Sequence, residues 1–488
     1  MKKLSELTGH IKMQRLIGNP DVRITGLTMN SREVKPGMLF AAVKGTSADG
    51  HNYIPQAIAN GAAAILCEQL PAFDTGKTTI IQTGNAAKAI GHLASAFYDF
   101  PSESIKVVGV TGTNGKTTIA TLLYKLFENL GYPSGLISTI RVCVHLSSTE
   151  ATHTTPDAIT FQRHLAEMVE AGCQYAFVEV SSHAMDQFRV EGVHFAGGIF
   201  TNLTRDHLDY HLDFQSYLKA KKSFFDQLDS SAFALTNTED RNGFVMLQNT
   251  PARKFSYTTR GSADFEARLI EQHIDGMLVS FDSLEVWIRF IGRYNVSNLL
   301  AVYCTARLLQ QSQSEILTQL SGLDPVEGRL ETVLLGNERI GIVDYAHTPD
   351  ALENVLSTLG ELKSGDSRII TVFGAGGDRD RGKRPLMAEV ACRLSDQVII
   401  TSDNPRSENP EMIIEEIKKG IPAGTESRVL SISDRHEAIK TAVALSRKGD
   451  LVLLAGKGHE TYQDINGVKH HFDDLEELSS LSTETLKL

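Results

Sequence analysis

Ile105-Lys-Val-Val-Gly-Val-Thr-Gly-Thr-Asn-Gly-Lys-Thr-Thr118 is the stretch whose reading decides the fold. It begins as an apolar run with β-branched Ile105, Val107, Val108 and Val110, breaks at Gly112 and Gly115, and resumes as a helical segment from Ile119 to Leu130. Strand, glycine loop and helix in that order form the setting of a phosphate-binding loop. Glycines let backbone N–H groups approach a polyphosphate, and the new helix turns its positive end toward the same anion. The nucleotide contacts are then Gly112, Thr113, Asn114, Gly115, Lys116, Thr117 and Thr118. Lys116 meets the β- and γ-phosphates, and the Thr117 hydroxyl sits on Mg²⁺. The usual spacing, G-x-x-x-x-G-K-[ST], calls for glycine at position 110; Val110 stands there and Gly109 lies one place early. A plain glycine turn is the structural alternative, and the Gly-Lys-Thr-Thr run at the helix start argues against it.

With 488 residues, two to four domains are expected, at about 100–200 residues each. The net charge of −11 argues against nucleic acid as a partner. An anion can still be met by local clusters such as Lys116 or the run from Arg379 to Arg384. Met1-Lys2-Lys3 leads into mixed polar sequence, so no signal peptide is expected. No apolar run approaches the roughly 18 residues of a membrane span. Cysteines 67, 143, 173, 304 and 392 form no CxxC pair, so they read as reduced thiols with no zinc site. A cytoplasmic monomer away from membranes is the expectation.

The fold class expected is α/β in three domains. Residues 1–103 read as a small α/β unit with strands at Val22–Thr28, Met38–Val43 and Ala62–Cys67, a helix at Tyr53–Gly61, and a linker at Asp99–Ser102. Its polar loops are Asn30-Ser-Arg32 and Gly45-Thr-Ser-Ala-Asp-Gly50. Residues 104–325 carry the phosphate loop on a doubly wound parallel sheet. A helix at Ala158–Ala171, a strand at Tyr175–Val180 and a helix at Phe214–Leu228 follow, with Tyr217 and Lys221 on one helix face. Parallel sheets place sites at the carboxyl ends of their strands, which brings Glu179, His207 and the phosphate loop to one edge. Residues 326–488 form a second, Rossmann-like sheet with strands at Ile340–Val343, Arg368–Phe373, Gln397–Thr401 and Asp450–Leu454. Four polar loops follow those strands, at Asp344-Tyr-Ala-His347, Gly374–Asp380, Asp403-Asn-Pro-Arg406 and Gly456-Lys-Gly-His-Glu460, and suggest a binding face.

Thr111–Thr118, Glu179-Val-Ser-Ser-His183, Asn202-Leu-Thr-Arg-Asp-His-Leu-Asp-Tyr210, Gly292-Arg-Tyr-Asn-Val-Ser-Asn298 and Asp344-Tyr-Ala-His-Thr-Pro349, taken together, resemble the Mur ligases. The resemblance covers essentially the whole chain, in order. It implies an ATP-dependent amide-forming enzyme of peptidoglycan synthesis, and so a part in cell-wall growth, cell shape and division. Asn30-Ser-Arg32, Gly45–Gly50 and His153-Thr-Thr-Pro-Asp157 resemble the members that add the third residue of the stem peptide. Asp403-Asn-Pro-Arg406 resembles the form taking meso-2,6-diaminopimelate instead of L-lysine. Two positions depart from some relatives: Pro156 follows Thr-Thr where they have glycine, and His153 precedes it.

The physics supports that choice of amino acid. Diaminopimelate carries a second amino-acid head, and Arg406 offers a planar fork matched to its carboxylate. Arg379 supplies another cation, and Asp403, Asn404 and Glu460 offer acceptors for an ammonium, with Pro405 and Gly456 shaping the pocket. L-Lysine would leave Arg406 unpaired, at a cost of about 1–3 kcal/mol.

The resemblance further implies an acyl-phosphate mechanism. The D-glutamyl γ-carboxylate of a UDP-N-acetylmuramoyl dipeptide attacks the γ-phosphate of ATP, and the diaminopimelate amine then displaces phosphate. Lys116 and Mg²⁺ supply most of the positive charge. Glu179 and His207 bind a second Mg²⁺ by resemblance; read alone, Glu179 serves equally well as a strand-end carboxylate, and His183 and His211 compete with His207. The lysine of the Tyr-x-x-x-Lys helix, Lys221, is implied to be carbamylated, although beside Lys219 and Lys222 it would otherwise read as solvated. Ser31, Thr154, Thr155, Ser181, Gln187 and Arg189 match positions that hold the UDP substrate, and Asn295 and His347 match ATP contacts. Two other readings compete: a folylpolyglutamate synthase-like ligase, which lacks a comparable first domain, and a P-loop ATPase without ligase activity.

Overall fold

The computed structural model describes residues 1–45, 48–206, 208–211 and 213–484. Thr46, Ser47 and the candidate metal ligand His207 lie outside the described residues. Three large sheets succeed one another along the chain.

In the first, Leu27–Thr28, Leu39–Ala41, Ala64–Cys67 and Thr79–Thr83 run parallel, with Met13–Ile17 antiparallel at the edge. The single strand expected over residues 22–28 is two short ones. Arg23–Ile24 pairs with Lys2–Lys3, and only Leu27–Thr28 joins the main sheet. The helix expected over residues 53–61 begins later, at Ile54–Ala59, after a 3₁₀ turn at Gly50–Tyr53. Pro55 has no N–H to give and is confined to a first helical turn.

The expected linker at Asp99–Ser102 is an ordered corner. Asp99 and Phe100 hold φ of 61° and 54°. Pro101 opens a helical turn, Pro101–Ser104, and the buried Ser102 hydroxyl accepts the His194 N–H at 2.9 Å. Polar composition signals a chain reversal there, but not that the reversal is clamped between two packed units.

The second sheet holds six parallel strands in the order Ser134–Ile137, Tyr175–Glu179, Lys106–Thr111, Phe195–Phe200, Phe233–Asn237 and Arg253–Thr258. Arg141–Val144 and Ser147–Glu150 extend it antiparallel on one side; on the other Phe265–His273 continues parallel to Arg253–Thr258, and Gly276–Phe281 and Leu284–Ile288 follow antiparallel. Helices Lys116–Asn129 and Arg293–Leu308 bury one face, and Ala158–Glu170 and Phe214–Asp226 bury the other. The phosphate-loop helix starts at Lys116, three residues before the apolar pattern predicts, because Gly115 ends the loop in the left-handed region at φ 87°.

The third sheet is Glu331–Leu334, Ile340–Asp344, Leu451–Ala455, Ile369–Phe373, Gln397–Ile400 and Val429–Ser431, parallel except for its first strand. Helices Pro349–Leu362, Lys383–Leu394 and Pro410–Lys418 cover one face, and Arg435–Leu445 and Asp474–Glu484 the other. Under that second face Arg435 and Asp474, both fully buried, bond through Nε at 2.8 Å and Nη2 at 2.6 Å. Among the described residues no helix is long and apolar enough to cross a membrane. The five cysteines are buried and unpaired.

Candidate active site

The loop between Thr111 and Lys116 can turn only because of its glycines. A Cβ on Gly112 would lie 1.8 Å from Thr201 Oγ1, and one on Gly115 would lie 2.6 Å from Asn298 Oδ1. Neighbours hold the loop in shape. Thr113 N–H donates to the Asn202 carbonyl at 2.8 Å, and Asn114 N–H to Asn202 Oδ1 at 2.9 Å. Lys116 Nζ folds back onto the Gly112 and Thr113 carbonyls at 2.9 and 2.7 Å. Burial lowers the Lys116 pKa, and the nearby carboxylates Glu179 and Asp206 oppose the shift. Thr117 and Thr118 are buried at the helix start.

Lys221 comes to the same loop from the helix Phe214–Asp226. It is 1 % exposed, donates to the Gly112 carbonyl at 2.7 Å and lies 4.7 Å from the centre of the Tyr217 ring. Tyr217 in turn meets Thr113 Oγ1 at 3.1 Å. Burial pushes the Lys221 pKa well below the ordinary lysine value, Lys116 adding to the shift and Asp206 opposing it. A lysine so placed favours the neutral amine or a derivative of it.

Glu179 ends the neighbouring strand, in register with Val110, and is fully buried. Its carboxylate accepts the Thr139 N–H at 2.7 Å and the Thr139 hydroxyl at 3.2 Å. Carboxylate and hydroxyl oxygens are the donors a hard divalent cation takes, so Glu179 and Thr117, beside a lysine poised to lose its charge, suit Mg²⁺.

The residues matched to the UDP substrate divide. Five gather around the end of the Glu179 strand. Thr154 Oγ1 accepts from Thr139 at 3.1 Å. Thr155 Oγ1 donates to the Glu179 carbonyl at 2.7 Å and lies 3.3 Å from Ser181 Oγ. Arg189 donates to the Thr155 carbonyl and to Gln187 Oε1, each at 2.7 Å. Ser31 stays in the first domain, where its hydroxyl donates to Gln56 Oε1 at 2.7 Å.

A cavity of about 260 Å³ opens between the phosphate loop and the C-terminal unit. Asn114, Gly115, Asn295, Asn298, Arg329 and Asp344 line it. Asn295 Nδ2 donates to the Ile291 carbonyl at 2.8 Å, and its Oδ1 accepts from Asn298 at 3.1 Å. Burial raises the Asp344 pKa to about 6, although Arg329 pulls it back. His347 Nδ1 bonds the Tyr345 carbonyl at 2.8 Å, and burial lowers its pKa to about 4, with Lys383 adding to the shift.

The C-terminal strand ends form a third cluster. Asn404 Nδ2 donates to Glu460 Oε2 at 2.6 Å. Lys457, fully buried, lies 3.7 Å from both Asp403 Oδ1 and Glu460 Oε2. Asp403 Oδ1 is buried with no hydrogen-bond donor among the described residues. Gly456 must be glycine, since at φ 117° a Cβ there would sit 2.8 Å from Asp403 Oδ2. Arg406, held at φ 51° next to Pro405, donates to the Gly377 carbonyl at 2.7 Å. Arg379 is exposed and donates to the Asp378 carbonyl at 3.1 Å, and its side chain flanks Gly376 together with Arg406 and the Asn404 carbonyl.

Sequence reasoning missed Thr139, Asp206, Lys383 and Lys457. Each is a common polar residue whose role comes from tertiary neighbours; Asp206, Lys383 and Lys457 lie inside the singled-out runs Asn202–Tyr210, Arg379–Arg384 and Gly456–Glu460, whereas Thr139 carried no local signal.

The chain matches three family descriptions: "Mur ligase family, catalytic domain" over residues 23–98, "Mur ligase middle domain" over 110–306 and "Mur ligase, glutamate ligase domain" over 328–458. It is 51 % identical over 484 residues to UDP-N-acetylmuramoyl-L-alanyl-D-glutamate–2,6-diaminopimelate ligase of Bacteroides fragilis, covering 99 % of this chain and 100 % of that one. It is 42 % identical over 467 residues to the Chlorobaculum tepidum protein of the same name, covering 93 % and 91 %. A solved structure of a ligase with that name superposes at a TM-score of 0.70, with 31 % identity and full coverage of both chains. The MurF ligase of Thermotoga maritima in complex with ADP shares the fold at a TM-score of 0.63 and 19 % identity, covering 96 % of this chain and 98 % of that one.

Proposed function

The chain belongs to the Mur ligase family, and from that premise we propose how its residues divide the work. It is an ATP-dependent, ADP-forming ligase that joins 2,6-diaminopimelate to UDP-N-acetylmuramoyl-L-alanyl-D-glutamate in peptidoglycan synthesis. The finer reading is that the meso isomer is added, at the γ-carboxylate of the D-glutamyl residue, by a monomer in the cytoplasm. Residues 1–103 and the Thr154–Arg189 cluster hold the UDP substrate, residues 104–325 the ATP, and residues 326–488 the amino acid.

A carboxylate is a poor acyl donor because its leaving group is oxide. Attack on the γ-phosphorus of ATP makes a bond from carboxylate oxygen to phosphorus, breaks the bond to the β-phosphate oxygen and releases ADP. The diaminopimelate amine then attacks the acyl carbon, sheds a proton, and the carbon–oxygen bond to phosphate breaks. Both steps bring anions together, so positioning and positive charge supply most of the rate. Lys116, already aimed over the loop, meets the β- and γ-phosphates. Asn295 and His347 hold the nucleoside end. Mg²⁺, held by Thr117, Glu179, His207 and carbamylated Lys221, would neutralise the phosphate oxygens. The carbamate forms when a neutral lysine amine adds to CO₂ and loses a proton, and the burial of Lys221 beside Lys116 favours that neutral amine.

The observation that carries the amino-acid assignment is the C-terminal cluster. Two carboxylates and an amide, Asp403, Glu460 and Asn404, converge beside the Arg406 guanidinium, and Asp403 Oδ1 has no hydrogen-bond donor among the described residues. That arrangement complements an ammonium and a carboxylate on one carbon. The test is phosphate release with ATP and the UDP-muramoyl dipeptide, comparing meso-diaminopimelate with L-lysine. Release with diaminopimelate alone is expected. Equal release with L-lysine sinks the pocket assignment, and release without any amino acid favours an ATPase.

A further inference from the structure

Lys383 is a buried cation that the mechanism above leaves unused. It is 6 % exposed and opens the helix Lys383–Leu394. Its Nζ has no hydrogen bond and no ion pair within 4 Å among the described residues. Burying an ammonium without a partner costs several kcal/mol, and burial lowers the Lys383 pKa, so an anion beside it would stabilise the charged form. The neighbouring carboxylates are shared with other cations: Asp206, which faces Lys383 most strongly, also faces Lys116 and Lys221. Asp380 pairs with Arg205 at 3.4 Å, and Asp403 is flanked by Lys457. Arg384, the next residue, is committed to Glu408 and Glu416 at 2.9 and 2.6 Å and points away from the cleft into its own domain.

The position of Lys383 is as telling as its lack of a hydrogen-bonded neighbour among the described residues. The turn ahead of Lys383 touches the central domain: a Cβ on Gly382 would lie 2.6 Å from Arg205 Nη2. Lys383 faces Asp206 of the central domain on one side and Asp403 of the amino-acid cluster on the other, with His347 close by. Asp206 also faces Lys116 and Lys221. Lys383 therefore stands between the phosphate loop and the amino-acid pocket, on the path between the two half-reactions. A carboxylate of the amino acid is already served by the planar fork of Arg406, whereas a compact ammonium is a point charge suited to a phosphoryl oxygen.

We infer that Lys383 is a further catalytic residue, whose ammonium binds the phosphoryl group as it passes from ATP to the glutamyl carboxylate and holds the resulting acyl phosphate for the amine. This rests on the ligase mechanism proposed above. It assigns the C-terminal domain a role in the first half-reaction as well as the second.

The test separates the halves. ATP, the UDP-muramoyl dipeptide and hydroxylamine, without diaminopimelate, trap the acyl phosphate as a hydroxamate. Lys383→Met should lower hydroxamate formation and kcat together, by about 100-fold or more, as losing one charged donor to a transition state does. Its KM for diaminopimelate should stay near that of the wild type, and its melting temperature should not fall, since an unpaired buried charge has been removed. Lys383→Arg, which keeps the charge, should recover part of the rate. Hydroxamate formation at the wild-type rate in Lys383→Met, with a raised KM for diaminopimelate, overturns the inference in favour of amino-acid binding. Should Lys383→Met not melt cooperatively, Lys383→Gln measured the same way decides. A wild-type enzyme that makes no ADP with both substrates present overturns the ligase mechanism itself, a different result from any of these.

Discussion

The Asn114 side chain donates to the Asp350 carboxylate at 2.8 Å across the cleft between the central and C-terminal domains. Asn114 belongs to the phosphate loop, and Asp350 lies in the first turn of the helix Pro349–Leu362. Thr204 Oγ1 reaches the same carboxylate at 3.4 Å. One carboxylate thus ties the glycine loop ahead of Lys116 to the domain that carries the Asp403–Glu460 cluster.

Asp350→Ala should therefore weaken the contact between the central and C-terminal domains without unfolding either. Loss of a hydrogen bond to a charged group corresponds to about 1.5–3 kcal/mol, so kcat/KM for ATP should fall roughly tenfold to a hundredfold. Steady-state kinetics with a parallel melting curve check this. An unchanged kcat/KM would show that the contact carries no weight in turnover.

Lys221→Ala should lose most activity, and Lys221→Glu should keep part of it, because glutamate restores an anion of similar reach. Depleting CO₂ should lower wild-type activity and leave Lys221→Glu unaffected. If both variants run at the wild-type rate, the carbamate assignment is wrong.

Arg406→Ala should raise KM for meso-diaminopimelate much more than KM for ATP, and should narrow the preference over L-lysine by about 1–3 kcal/mol. Arg406→Lys should recover little, since an ammonium cannot present two parallel donors. Competition between the two amino acids for product is the direct readout.

Asp474→Ala should destabilise the C-terminal domain by about 3–5 kcal/mol, because it strands Arg435 as a buried charge. Replacing both, as Arg435→Met with Asp474→Leu, should restore much of the loss. Urea denaturation followed by circular dichroism distinguishes the two.

Asp344 predicts a pH dependence. Burial holds its folded pKa at about 6, while in the unfolded chain it titrates near 4. Between those values the folded protein keeps a proton that the unfolded chain has released. The stabilisation is therefore complete below about pH 4 and is lost as pH rises through about 6. Against Asp344→Asn, the wild type should lose relative stability over that window. A difference that stays flat with pH removes the shift.

Much of this molecule is legible in its sequence. The phosphate loop is readable because Gly112 and Gly115 are required by backbone conformation and close approach, which only glycine satisfies. The C-terminal strands are readable because buried parallel strands are continuous apolar runs. The extensions at Arg141–Glu150 and Phe265–Ile288 are not, since half-exposed strands mix charged and apolar residues and carry a weak signal. Lys383 and Lys457 sit in runs the sequence marks, but nothing in those runs separates them from solvated neighbours; only the folded chain puts them 6 % and 0 % exposed. Thr139 is invisible for a related reason, because its two bonds to Glu179 span 40 residues.

The corner at Asp99–Ser104 settles where this molecule can bend. The first domain shares its core with the second: Ile159 lies within the first domain's apolar cluster, and a Cβ on Gly91 would strike the Glu191 carbonyl at 2.5 Å. The third domain meets the second through polar pairs, Asn114 with Asp350, Arg205 with Asp380 and Arg293 with Glu361, set around one apolar contact at Ile291 and Tyr294. Polar junctions part more cheaply than apolar ones. On that contrast, residues 1–322 would serve as a fixed ruler for the long UDP-linked chain, and the remaining third as an arm that swings to it. Selection of the nucleotide-sugar end would be a matter of fixed length, and selection of the incoming amino acid a matter of timing.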